Sequence, residues 1–206
     1  MAIQQRESAG RSRRPLYAWL VIGVGAIVAA ASVWALLGRA RPVSALAADL
    51  GSSDSKTRHR AARQLAKLGP EARDAVPQLA EALRDQDRVV RFHVAKALAE
   101  IGVDAQPAIP ALIACLAEPD ADTRYFIVKA ISKLDLGSNQ SPAVPGLVRL
   151  LKDENPKTRY YAAKCLKAIG PAAGSAIPAL QIAAQDPDPT VKEVATAALK
   201  KVTKPN

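Results

Sequence analysis

Phe92, Tyr125 and Tyr160 are each followed four residues later by a lysine, Lys96, Lys129 and Lys164. Residues four apart share a helix face, so each pair sets a ring beside an ammonium group. That chemistry is recognition: rings supply contact area at low entropy cost, and ammonium groups steer an acidic or aromatic-containing peptide. Material for bond-making is scarce. His59, His93, Cys115 and Cys165 are all the imidazoles and thiols in 206 residues, a thin basis for a zinc site, a disulfide scaffold or a His-based catalytic centre. No Gly-rich phosphate loop, Ser-His-Asp set or activated cysteine is visible, so a non-catalytic protein without a cofactor is expected.

The elements that position these pairs are repeated. Val76-Pro77, Ile109-Pro110, Val144-Pro145 and Ile177-Pro178 recur at steps of 33, 35 and 33. Arg58, Arg91, Arg124, Arg159 and Lys192 keep nearly the same beat, at 33, 33, 35 and 33. Such periods indicate stacked supersecondary units. Each unit reads as two helices. The first is expected to begin at the Val/Ile-Pro pair, where proline's missing N–H costs nothing. The second begins at an N-cap, Asp54, Asp87, Asp120, Asn155 or Asp188, and in several units stops at a glycine, Gly69, Gly102 or Gly170. Counting back from Val76 starts a degenerate first unit at Val43.

The run Asp87-Arg88-Val89-Val90-Arg91 with Ala95, Ala97 and Leu98, and its counterpart from Asp188 to Leu199, resembles the HEAT repeat in its short, phycobilisome-lyase-like form. The resemblance spans residues 43 to 202. It implies an all-α fold: a right-handed α-solenoid of about five two-helix repeats whose second helices line a concave side. Relatives of this type include bilin lyases and deoxyhypusine hydroxylase. The hydroxylase pattern requires His-Glu pairs, whereas the histidines here precede Arg60 and Val94.

With the repeated Arg as position zero and about 100° per residue, positions −1, +3, +6, +7 and +10 form a buried stripe. In the second unit these are Val90, Val94, Ala97, Leu98 and Ile101; Cys165 falls in the same stripe, and both thiols read as small core residues. The Arg column, with Asp85, Glu118, Asp153 and Asp186 six residues before it, is expected to form a ladder between units. Position +1 holds His59, Phe92, Tyr125 and Tyr160, and position +5 holds Arg63, Lys96, Lys129 and Lys164. The expected partner-binding residues are Phe92, Lys96, Tyr125, Lys129, Tyr160 and Lys164. The competing reading makes Phe126 and Tyr161, at +2, fillers between units that the +1 rings cover.

Leu16 to Leu37 carries no charge over 22 residues, enough to cross a hydrocarbon layer of about 30 Å. The expected organisation is a basic tail (1–15), a transmembrane anchor (16–37), a short linker (38–42) and the solenoid (43–206). Four arginines precede the anchor, which favours a cytoplasmic N-terminus and an extracytoplasmic, periplasm-like repeat domain at the cell membrane. Two alternatives stay open: a signal peptide cleaved near Ala45-Leu46-Ala47, and a cytoplasm-facing domain.

Residues 42–206 hold 23 basic and 18 acidic side chains, with Lys56, Arg60, Arg63 and Lys67 crowded into the first unit. Basic residues near an anionic surface gain about 1 kcal/mol each. The expected function is thus a membrane-anchored scaffold binding another protein or peptide, one of acidic character included. The alternative is an electrostatic module acting on membrane or anionic ligand through the first unit. Nucleic acid would rarely meet an extracytoplasmic domain, and self-association is left open.

Overall fold

The computed structural model describes residues 41–204. The tail 1–15 and the apolar segment 16–37 lie outside the described residues. Pro42–Asn206 forms one compact unit, entirely helical with short turns among the described residues. Its α-helices are α1 Val43–Asp49, α2 Ser55–Leu68, α3 Val76–Ala82, α4 Arg88–Ile101 and α5 Ile109–Ala114. There follow α6 Ala121–Ile131, α7 Gln140–Leu150, α8 Pro156–Ile169, α9 Ile177–Ala183 and α10 Pro189–Val202. The even-numbered helices are the second helices of the five units. Each packs on the next in a continuous layer, with the short odd-numbered helices beside them.

Local chemistry fixes the ends of the second helices. Asp54 accepts hydrogen bonds from the N–H groups of Lys56 and Thr57, Asp87 from Val89, Asp120 from Thr123, Asn155 from Lys157, and Asp188 from Thr190 and Val191. Each satisfies a donor that the helix itself leaves unpaired. At the other end Gly69, Gly102 and Gly170 take φ of 55°, 76° and 68°, a region closed to most side chains. A 3₁₀ segment follows each of them, at Gly69–Ala75, Gly102–Ala108 and Gly170–Ala176, a feature absent from the sequence-based expectation. The run 88–114 is apolar enough to suggest a membrane span, but Gly102 breaks it into two differently directed pieces of the repeat core.

One expected boundary fails. α3, α5 and α9 begin at Val76, Ile109 and Ile177, but α7 begins at Gln140, four residues before Val144. This unit carries the two extra residues. Its preceding helix ends at Ile131 without a glycine cap, and the positive φ sits later, at Gly137 (46°). Only Gly137–Asn139 remains 3₁₀, so the α-helix starts early and Pro145 lies inside it.

The core is aliphatic. Val90, Val94, Ala97, Leu98 and Ile101, and likewise Thr158, Ala162, Cys165, Leu166 and Ile169, are all buried, as the stripe predicts. Burying a leucine such as Leu98 or Leu166 contributes about 1.5–3 kcal/mol. Alanines on the second helices (Ala95, Ala130, Ala163, Ala195) leave room for close helix approach. Gly146 serves the same end: a Cβ there would meet Leu116 Cδ1 at 2.5 Å.

The Arg ladder locks unit to unit. Arg58 Nε and Nη2 donate to Asp85 Oδ2 (2.7 Å) and Oδ1 (3.0 Å), while its Nη1 donates back to the Ser52 carbonyl (2.9 Å). Arg91–Glu118 (2.9 Å), Arg124–Asp153 (2.6 Å) and Arg159–Asp186 (2.7 Å) repeat the arrangement. Each acid except Glu118 also accepts a firm bond from the N–H two residues on, as Asp186 does from Asp188. Arg159 holds the Asp186 carboxyl below its ordinary range against the opposing effect of burial. The acid side chains are only 3–7% exposed, so these are interior pairs rather than surface decoration.

Candidate functional site: a lane of rings and lysines

The second helices carry the rings in matched columns. Position +1 of one unit meets position +2 of the next: His59 stacks on His93 (centroids 5.0 Å, 23° between planes), Phe92 lies edge-on to Phe126 (5.3 Å), and Tyr125 contacts Tyr161 (5.8 Å). Within each helix, the neighbouring rings Phe92–His93, Tyr125–Phe126 and Tyr160–Tyr161 lie at 4.9–5.2 Å. Seven rings thus form an unbroken lane across four units. Such aromatic pairs add about 0.5–1.5 kcal/mol each beyond area burial. The lane ends at Tyr160, because the +2 residue of the last unit is Val194.

Lysines lie over this lane. Lys96 Nζ is 5.8 Å from the Phe126 centroid, Lys129 is 5.5 Å from Phe126 and 6.0 Å from Tyr125, and Lys164 is 5.7 Å from Tyr161. The ring quadrupole attracts each cation and restrains its long side chain. Lys129 also pairs with Glu100 at 3.0 Å.

Of the three expected ring–lysine pairs, Tyr125 and Lys129 meet, whereas Lys96 lies over Phe126 and Lys164 over Tyr161, so the six residues are joined through the +2 rings. Their roles differ from a simple row of exposed rings. Phe126 and Tyr161 pack against the core, and the +1 rings lie partly over them, so filler and surface form one structure. Phe92, Tyr125 and Tyr160 remain partly exposed, as do Lys96 and Lys129, while Lys164 is exposed.

On sequence alone His59 and His93 have no metal-binding role, since Arg60 and Val94 rather than glutamates follow them, and they fall in different columns, +1 and +2. The stacking makes that offset the reason they meet: +1 faces forward and +2 faces back. Burial foremost, then His59, Lys96 and Arg63, lower the His93 pKa to about 4. Its Nδ1 is buried without a hydrogen-bond partner among the described residues. Beside it a cleft of about 250 Å³ is lined by Arg88, Val89, Phe92, Asp120 and Asp122, with Arg88 and Asp120 paired at 3.0 Å.

Lys56, Arg60, Arg63 and Lys67 are exposed on one stripe of α2. This basic stripe is continuous with the lane, since Arg63 occupies the Lys96 column and lines a shared cleft with Lys67, His93 and Lys96. Cys165 is buried, and desolvation pushes its thiol pKa up to about 12; Cys115 is half-buried, its pKa also raised by desolvation. No group of three or more His, Cys, Asp or Glu side chains suited to a metal ion occurs among the described residues.

Comparison with known proteins agrees with this architecture. A designed armadillo repeat protein in complex with the peptide (KR)4 superposes with a TM-score of 0.68 at 19% identity, over 78% of this chain and 82% of that one. Computationally designed armadillo repeat proteins for modular peptide recognition give 0.69 at 20% identity, over 77% and 81%. The complex of CpcE and CpcF of phycocyanin lyase from Nostoc sp. PCC7120 gives 0.62 at 28% identity, over 81% of this chain and 66% of that one. No curated protein matches the sequence. The family model for HEAT repeats matches residues 41–132 and 109–200, together most of the chain, which therefore belongs to the HEAT-repeat family.

Proposed function

We propose that this protein is a non-catalytic, membrane-anchored scaffold that binds a segment of another protein along the lane on its second helices. The observation that carries the reading is the unbroken lane of seven rings with lysines laid over it. Rings and aliphatic stems give an extended chain apolar contact, and cations held by rings lose little further freedom on binding. The designed armadillo relatives support the mode, since one is in complex with a peptide and another serves modular peptide recognition. Their peptide (KR)4 is basic; this face is cationic, so its ligand has the opposite sign.

The inertness of the best nucleophiles supports a non-catalytic role. Cys165 is buried with a raised pKa, and Cys115 is half-buried with its pKa raised by desolvation. In this account residues 16–37 anchor the chain in the cell membrane, with the N-terminus cytoplasmic and the repeats on the other side. Retention of the anchor rather than cleavage is supported by α1. Leu46 and Ala47 are buried in the first unit, so cleavage after Ala47 would remove core residues.

The test uses the full chain with Phe92, Tyr125 and Tyr160 replaced by Ala. Capture of the partner in native membranes should be lost, with membrane association and helix content unchanged. Capture at the wild-type level by the triple variant contradicts the reading.

A further inference from the structure

The cleft between the first two units differs from its neighbour in how charge is balanced. It encloses about 620 Å³ between α2 and α4 and is lined by Arg63, Lys67, His93, Lys96 and Glu100, with the turn at Leu68–Pro70. One unit further on, Lys96, Glu100, Phe126, Lys129 and Lys133 occupy the corresponding positions. There the charges answer one another: Lys129 bonds Glu100 at 3.0 Å, and Lys133 donates to the Ala99 carbonyl at 2.5 Å. In the first cleft, Lys67 stands where Glu100 stands in the second. Among the described residues neither Arg63 nor Lys67 has an ion-pair partner, and the single acid, Glu100, is engaged with Lys129. His93 completes the lining, and its Nδ1 is buried without a hydrogen-bond partner among the described residues.

We infer that this cleft is an anion subsite that receives the carboxylates of an acidic segment in the protein partner, at the N-terminal end of the ring lane. The inference rests on the proposed function of that lane and adds a polarity to it. Three converging cations, Arg63, Lys67 and Lys96, supply charge complementarity. A neutral imidazole has one N–H to offer a carboxylate. Continuity selects a polypeptide over an isolated headgroup: His93 contacts Phe92, and Lys96 reaches over Phe126, so a chain entering the cleft runs on across the rings. An acidic stretch therefore lies against the first unit, and the segment over Phe92–Tyr160 is richer in apolar groups.

The test measures fluorescence anisotropy of a labelled octaglutamate peptide with the full chain in neutral maltoside micelles. Saturable binding is expected, at least tenfold weaker in Arg63→Glu/Lys67→Glu and retained in Arg63→Lys/Lys67→Arg. Lys152→Glu, in the exposed turn after α7 and outside the lane, should change it less than twofold. Equal weakening by Lys152→Glu means diffuse electrostatics and overturns the subsite, as does absence of binding to the wild-type chain. Abolition of probe binding by phosphatidylserine in the micelles assigns the cleft to lipid headgroups and likewise overturns it. Partner crosslinking from position 160 separates the two ideas. If it persists in Arg63→Glu/Lys67→Glu with full efficiency and the wild-type chain does not bind the probe, the subsite falls while the lane stands.

Discussion

Phe92 lies edge-on to Phe126 across the boundary between the second and third units, and Lys96, one turn along from Phe92, lies over the same Phe126 ring. One side chain thus joins two units and restrains the cation that faces solvent. The relation is general along the lane: stacking stabilises the array and the same stacking presents the binding groups. Stability and recognition are coupled where a +1 ring packs on the next unit, as Phe92 and Tyr125 do, and separable at Tyr160, which among the described rings touches only Tyr161.

The Arg ladder is an interior feature, so removing one acid should be costly. Asp153→Ala leaves Arg124, whose side chain is 17% exposed, without the carboxylate it meets at 2.6 Å. Breaking such a pair from one side costs about 3 kcal/mol. Urea unfolding of the full chain followed by circular dichroism checks this. A loss below about 1 kcal/mol would place the pair among surface ion pairs.

His93 should make stability depend on pH well above the carboxylate range. Its folded pKa is about 4 against an ordinary 6.5. Between those values the unfolded chain binds a proton that the folded one does not, so stability falls as pH drops from about 6.5 to 4. His93→Phe, the residue of the matching Phe126, should remove that slope while keeping the ring stack. Melting temperatures from pH 7.5 to 4.5 provide the readout; identical slopes in the two proteins would contradict the assignment.

Thr158 Oγ1 is buried with no hydrogen-bond partner among the described residues, whereas the matching Thr123 hydroxyl donates to Asp120 Oδ2 at 2.6 Å. The capping residue differs: Asn155 replaces the aspartate. Valine occupies the position in two other units, as Val90 and Val191. Thr158→Val should stabilise the protein by about 1 kcal/mol by removing an unsatisfied buried hydroxyl. A decrease in the urea midpoint would show that the hydroxyl is satisfied.

Much of this was legible in the sequence because repetition turns a single helix into five aligned samples. Caps and glycine stops follow from residue type, and the buried stripe from 3.6-residue geometry, within one unit. The Arg–acid ladder was legible because both of its columns repeat from unit to unit. The pairing of +1 with the following +2 was not legible. It depends on how much one unit rotates against the next, and no periodicity within a helix encodes that rotation. For the same reason neither helix alone encodes the stacking of His59 on His93. The early start of α7 was hidden by its two-residue insertion, which moved the positive-φ glycine from the helix end to Gly137.

The most direct test of the lane replaces Tyr160 with p-benzoylphenylalanine in the full chain in native membranes, with Glu81, exposed on α3, as control. The account predicts a discrete adduct from 160 and none from 81, lost when Phe92 and Tyr125 are replaced by Ala, with the crosslinked peptide adjoining an acidic stretch of the partner. Equal labelling from both positions, or none from either, would return the rings to a purely structural role.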